Sequence, residues 1–116
     1  MTVCEHESEH EALVQRAKKA VPSGEIVKTM CEMLKILGEP SRMKIIFALM
    51  EGEMCVQHLV EAVDGNQSAV SQQLKVLKSG KLINIRREGK NILYSIADEH
   101  VYKIVEMSKE HAIEEV

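Results

Sequence analysis

The sequence has no tryptophan, one phenylalanine and two tyrosines in 116 residues. An aromatic core is thereby excluded, and the interior must be aliphatic, built from leucine, isoleucine, valine and seven methionines, a composition that favours packed helices. No stretch approaches the roughly 18 uninterrupted apolar residues that a membrane span needs. The first twenty residues are acidic rather than a basic segment leading into an apolar one, so a cytoplasmic chain with no membrane partner is expected. Three cysteines, Cys4, Cys31 and Cys55, cannot all pair within one chain, which excludes a disulfide-stapled secreted domain. Reduced thiols, free to bind metal or to pack, are expected instead, with Cys31 in the core. The length allows one small domain.

A net charge of −3 is the wrong sign for a nucleic-acid binder until it is resolved by segment. From Gln67 to Asn91, six basic residues (Lys75, Lys78, Lys81, Arg86, Arg87 and Lys90) face one acid, Glu88, a local charge of +5. The ends carry the opposite sign: residues 98–116 hold six acids against two lysines, and Glu5, Glu7, Glu9 and Glu11 crowd the amino terminus. A basic patch between acidic flanks suits DNA on one side and a cation elsewhere.

Val21-Pro-Ser-Gly-Glu25 breaks any helix, with Ser23 placed to cap the next one. Ile26, Val27, Met30, Met33, Leu34 and Leu37 then recur at helical spacing until Gly38 and Pro40. Ser41 restarts a helix carrying Ile45, Ile46, Leu49 and Met50, and residues 53–63 give another with Met54, Leu59, Val60 and Val63 inward. After Asp64-Gly65, Asn66 caps a helix that buries Val70, Leu74 and Leu77, so two short helices flank a Gly-containing turn. Past Gly80 the period becomes two: Ile83 and Ile85, a turn over Arg87–Asn91, then Ile92, Tyr94 and Ile96 form a hairpin with a basic tip. A last helix runs from Asp98 to about Glu114. The expected fold is mainly α with a small β-hairpin, a homodimeric winged helix-turn-helix. Residues 1–22 form an arm or helix, and 23–116 form the DNA-binding domain with a C-terminal helix for dimerisation and metal.

A recognition helix shows the major groove short polar and amide side chains near its start, since these donate and accept at base edges. Gln67, Ser68, Ser71 and Gln72 supply that set, while Lys75, Arg86, Arg87 and Lys90 suit phosphates. Double-stranded operator DNA is the expected partner.

On the last helix, Asp98, His100, His111 and Glu114 are all zinc ligand types. Eleven residues bring His100 and His111 to nearly one face but leave them roughly 16 Å apart, so one ion cannot touch both within a chain. Two such helices packed antiparallel about a twofold axis would set His100 of one subunit beside His111 of the other, giving two symmetric sites. A second cluster is open: Cys55 and His58, three apart, with Cys4, His6 and His10 in the amino-terminal arm. Its alternative is a Cys55 that merely packs.

These residues resemble the ArsR/SmtB-type metal-sensing repressors from about Glu25 to Glu114. The carrying segments are Leu37-Gly-Glu-Pro-Ser-Arg42, Glu53-Met-Cys-Val56, Ser68-Ala-Val-Ser-Gln-Gln-Leu74, and Asp98-x-His100 with His111-x-x-Glu114. The resemblance implies that this last pattern is an intersubunit regulatory site for zinc(II), cobalt(II) or another divalent ion. It also implies that the metal-free dimer holds its operator and releases it on binding metal, derepressing genes for metal export or resistance. The family's second site type joins the amino-terminal arm to the helix that begins at the Cys55 motif. Here Gln57 stands where cadmium and lead sensors have a second cysteine, and His58 where zinc sensors have an aspartate. A rival reading is a thiol or redox sensor acting through Cys4 or Cys55; another is a winged-helix module for protein contacts. An enzyme is not expected: four protein ligands leave a metal no open position for a small-molecule substrate.

Overall fold

The computed structural model describes residues 7–115, so Cys4 and His6 lie outside the described residues. Six helices and one antiparallel hairpin follow in the order α1 (Glu7–Ala20), α2 (Gly24–Leu37), α3 (Pro40–Glu51), α4 (Val56–Ala62), α5 (Gln67–Ser79), β1 (Ile83–Glu88), β2 (Asn91–Ile96) and α6 (Glu99–Glu115). The chain divides into two compact units, up to Cys31 and from Glu32 onward. Among the described residues no helix is long and apolar enough to cross a membrane.

In the first unit, α1 has no buried residue and carries Glu7 and Glu9 in its first turn and Lys18 and Lys19 in its last, each opposite in sign to the helix dipole there. The start of α2 is capped as expected, the Ile26 N–H donating to Ser23 Oγ at 3.3 Å. The apolar stripe of α2 runs across the division: Ile26, Val27 and Met30 of the first unit stay exposed, as does Cys31, expected in the core, while in the second unit Leu34 is exposed and Leu37 is buried. Periodicity marks a face as apolar without saying what covers it.

The second unit packs twelve buried aliphatic residues, among them Ile45, Ile46 and Leu49 of α3, Leu59 of α4, Val70, Leu74 and Leu77 of α5, and Val101 and Val105 of α6. Helix α3 starts one residue before the expected Ser41. Pro40 occupies its first turn, and the Glu39 carboxylate accepts from the Arg42 N–H at 3.0 Å. The expected helix over 53–63 is shorter, because residues 53–55 are extended: Met54 and Tyr94 exchange backbone hydrogen bonds of 3.0 and 2.8 Å, tying this link to β2. Asn66 caps α5 through the Ala69 N–H at 2.9 Å, as its sequence position suggested.

The hairpin pairs Ile83 with Ile96 through Glu88 with Asn91, leaving the two-residue turn Gly89-Lys90. Gly89 takes φ +62° and Lys90 does not follow it into positive φ, the pattern of a turn with glycine at its first central position. Ile83 is buried, whereas Ile85 and Ile92, members of the same alternation, are 43% and 41% exposed. The hairpin projects past the core, so alternation toward its tip has no packed face to serve.

Candidate nucleic-acid and metal sites

At about 100° per residue, Gln67, Ser68, Ser71, Gln72 and Lys75 fall within one arc of about 140° on α5, opposite buried Val70, Leu74 and Leu77. All but half-buried Ser71 are exposed. The polar arc begins at the Asn66 cap, where the free amide N–H groups of the first turn lie. Side chains able to read base edges therefore share one solvent face, held from behind by a firm apolar seam.

The hairpin corrects the charge count. Arg86 is committed to acids: its Nε and Nη2 donate to both carboxylate oxygens of Glu53 at 2.6 Å each, and Nη2 also donates to Glu88 at 2.9 Å. The same contacts hold the Arg86 pKa above its ordinary value and the Glu53 carboxyl below the usual 4.5. Arg87 and Lys90 are exposed, and among the described residues neither has an ion pair. They are the free charges of the tip. Glu53 lies 33 residues before Arg86, outside the basic segment Gln67 to Asn91, so no local pattern marks this pairing.

Glu39 is likewise lowered, chiefly by the backbone N–H groups of Arg42 and Ser41. Both carboxylates thus contribute stability that is complete above the ordinary value of 4.5 and is lost as pH falls below it toward their lowered values. Urea midpoints measured from pH 6 down to pH 3 should fall, and Glu53→Gln should flatten that fall. An unchanged pH profile in the variant would show that the Arg86 pair adds nothing.

On α6, Asp98 caps the helix, its Oδ1 accepting from the N–H groups of His100 at 2.8 Å and Val101 at 3.3 Å. The same oxygen lies 3.4 Å from His100 Nδ1, so these two candidate ligands converge with both side chains largely exposed. His111 and Glu114 are exposed one turn apart further along the same helix. Of the second cluster, Cys55 is the half-buried N-cap of α4, His58 is exposed on its first turn, and His10 is exposed on α1 in the other unit. Among the described residues of one chain, no three potential ligands converge. An imidazole beside a carboxylate at an open helix start is half of a nitrogen and oxygen donor set that suits zinc or cobalt.

Residues 39–84 match the profile of bacterial regulatory proteins of the arsR family. The chain is 35% identical over 111 residues to a transcriptional repressor SmtB homolog of Synechocystis, covering 96% of this chain and 84% of that one. It is 34% identical over 110 residues to a cadmium resistance transcriptional regulatory protein CadC homolog of Staphylococcus aureus, covering 94% and 90%. Among solved structures it is similar to the homodimeric winged helix-turn-helix DNA-binding domain Mb0332 of Mycobacterium bovis, a possible ArsR-family transcriptional regulator. That match has a TM-score of 0.74 at 30% identity and covers 83% of this chain and 92% of that one.

Proposed function

Because this chain belongs to the arsR family of bacterial regulatory proteins, regulators rather than enzymes, we propose that it is a homodimeric repressor that releases operator DNA when it binds zinc(II). The observation that carries the metal reading is the outer stripe of α6. Here His100, Met107, His111 and Glu114 share one exposed face, with Asp98 held against His100 at 3.4 Å. Met107 is 70% exposed. Setting His100 opposite the partner's His111 in an antiparallel pair also sets Ile104 opposite the partner's Met107, so one register both covers an apolar side chain and completes the donor set.

Asp98 and His100 of one subunit, with the partner's His111 and Glu114, would hold the ion, which would supply a cationic link between the two subunits. This chain's own part is to transmit the setting of α6. Val101 and Val105 are buried in the core that also holds α5, so a change in how the two α6 helices cross changes the spacing of the two α5 helices. That spacing must match operator half-sites about 34–36 Å apart. Metal and DNA then oppose each other reciprocally. The cadmium-resistance relative supports a metal-export or resistance gene as the one regulated. The nitrogen and oxygen set on α6 favours zinc over cadmium.

Fluorescence anisotropy of the full chain on a duplex from its own promoter, with and without zinc, tests this. Zinc is expected to weaken binding at least tenfold, about 1.4 kcal/mol of coupling. Binding that is salt-dependent but indifferent to zinc would end the zinc reading.

A further inference from the structure

A recognition helix must be held at one rotational setting, and a directional bond fixes this more sharply than the apolar seam behind α5, because burial is non-directional. A turn of 20° about the helix axis would carry side-chain ends, about 5–6 Å from the axis, through about 2 Å. That is more than a base-edge hydrogen bond tolerates.

One side chain outside the DNA-facing arc supplies the missing direction. Arg42, half-buried at the start of α3, donates from Nε to the Ile36 carbonyl at 2.6 Å and from Nη1 to Gln73 Oε1 at 3.0 Å. The first acceptor lies in the last turn of α2, where carbonyls lack helical partners. The second is on α5, 31 residues away, at the flank between its polar arc and its buried seam. The Arg42 backbone N–H is fixed in turn by Glu39 at 3.0 Å. A planar guanidinium with both ends occupied is a rigid fork, so it ties the end of α2, the start of α3 and α5 at one relative angle.

We propose that Arg42 is a positioning residue that sets the rotation of α5 through Gln73, and so determines operator specificity without touching DNA. This rests on the DNA-binding reading above. Gln73→Glu keeps the acceptor for Arg42, Gln73→Leu removes it at similar volume, and Arg42→Lys keeps the charge but loses the fork.

The readout is the ratio of affinities of the full metal-free chain for its promoter duplex and for an unrelated duplex of equal length at one salt concentration, with folding checked by circular dichroism. The expected result is a fall of tenfold or more in this ratio for Gln73→Leu and for Arg42→Lys. Affinity for the unrelated duplex should stay within about twofold, and Gln73→Glu should hold the wild-type ratio within about threefold. An unchanged ratio in Gln73→Leu overturns the proposal, as does equal loss on both duplexes, which marks a purely structural role. A ratio that collapses as far in Gln73→Glu as in Gln73→Leu also overturns it, since the amide would then read DNA itself. A wild-type chain without preference for its promoter duplex removes the DNA-binding reading and this proposal with it, and that outcome is visible before any variant is made.

Discussion

Replacing His100 with alanine is expected to leave operator binding at the wild-type level and to abolish its response to zinc. The side chain is 88% exposed and caps nothing, so its loss should cost no more than about 0.5 kcal/mol of stability, as for other surface positions. Zinc affinity should fall by more than the roughly 10- to 100-fold that losing even a hydrogen-bond partner behind a metal ligand costs. Asp98 needs a subtler substitution, because its oxygen also accepts from two backbone N–H groups at the start of α6. Asp98→Asn keeps that cap while removing the anionic donor, whereas Asp98→Ala would add a capping loss of about 0.5–2 kcal/mol and confuse the two roles. The measurement is a zinc titration of the promoter complex by anisotropy, beside direct zinc binding by calorimetry. A His100→Ala protein that still releases DNA with zinc would remove α6 as the sensor and turn attention to Cys55 and His58.

Leu77→Ala is expected to cost about 2–5 kcal/mol, a large share of the 5–15 kcal/mol that holds a typical domain folded. Leu77 has no solvent exposure and lies on the inner seam of α5 with Val70 and Leu74, so truncation leaves a cavity between α5 and the rest of the core. Urea unfolding at fixed protomer concentration should show a lower midpoint with an unchanged slope. DNA affinity should stay at the wild-type level wherever the variant is still folded, because the polar arc of α5 is unchanged. A loss below 1 kcal/mol would mean that the site collapses around the missing methyls.

Where a local rule sufficed, the sequence was legible. The caps at Ser23 and Asn66, the buried rows of α3 and α5 and the hairpin all followed from spacing and side-chain chemistry within a few residues. The failures lie where a distant partner decides. Residues 53–55 are extended because Tyr94 offers Met54 a backbone partner 40 positions later. Arg86 leaves the pool of free charges because Glu53 reaches it. Arg42 stood inside a segment that marked the family, yet its link to Gln73 spans 31 residues, and no spacing argument could have joined them. For the candidate metal residues, helical period gave the shared face of His100 and His111, while the approach of Asp98 to His100 depends on the capping turn.

The Met54–Tyr94 bridge divides the hairpin in time as well as in space. Its base is fastened to the link before α4 by two reciprocal amides and by buried Ile83, so proton exchange there has to wait for the core to open. Beyond Arg87 and Ile92 only the two strands hold each other, and their amides can exchange by local fraying. On the proposed DNA-binding reading, the tip that carries Arg87 and Lys90 would therefore fit itself to a curved phosphate backbone on a faster clock than the base that aims it.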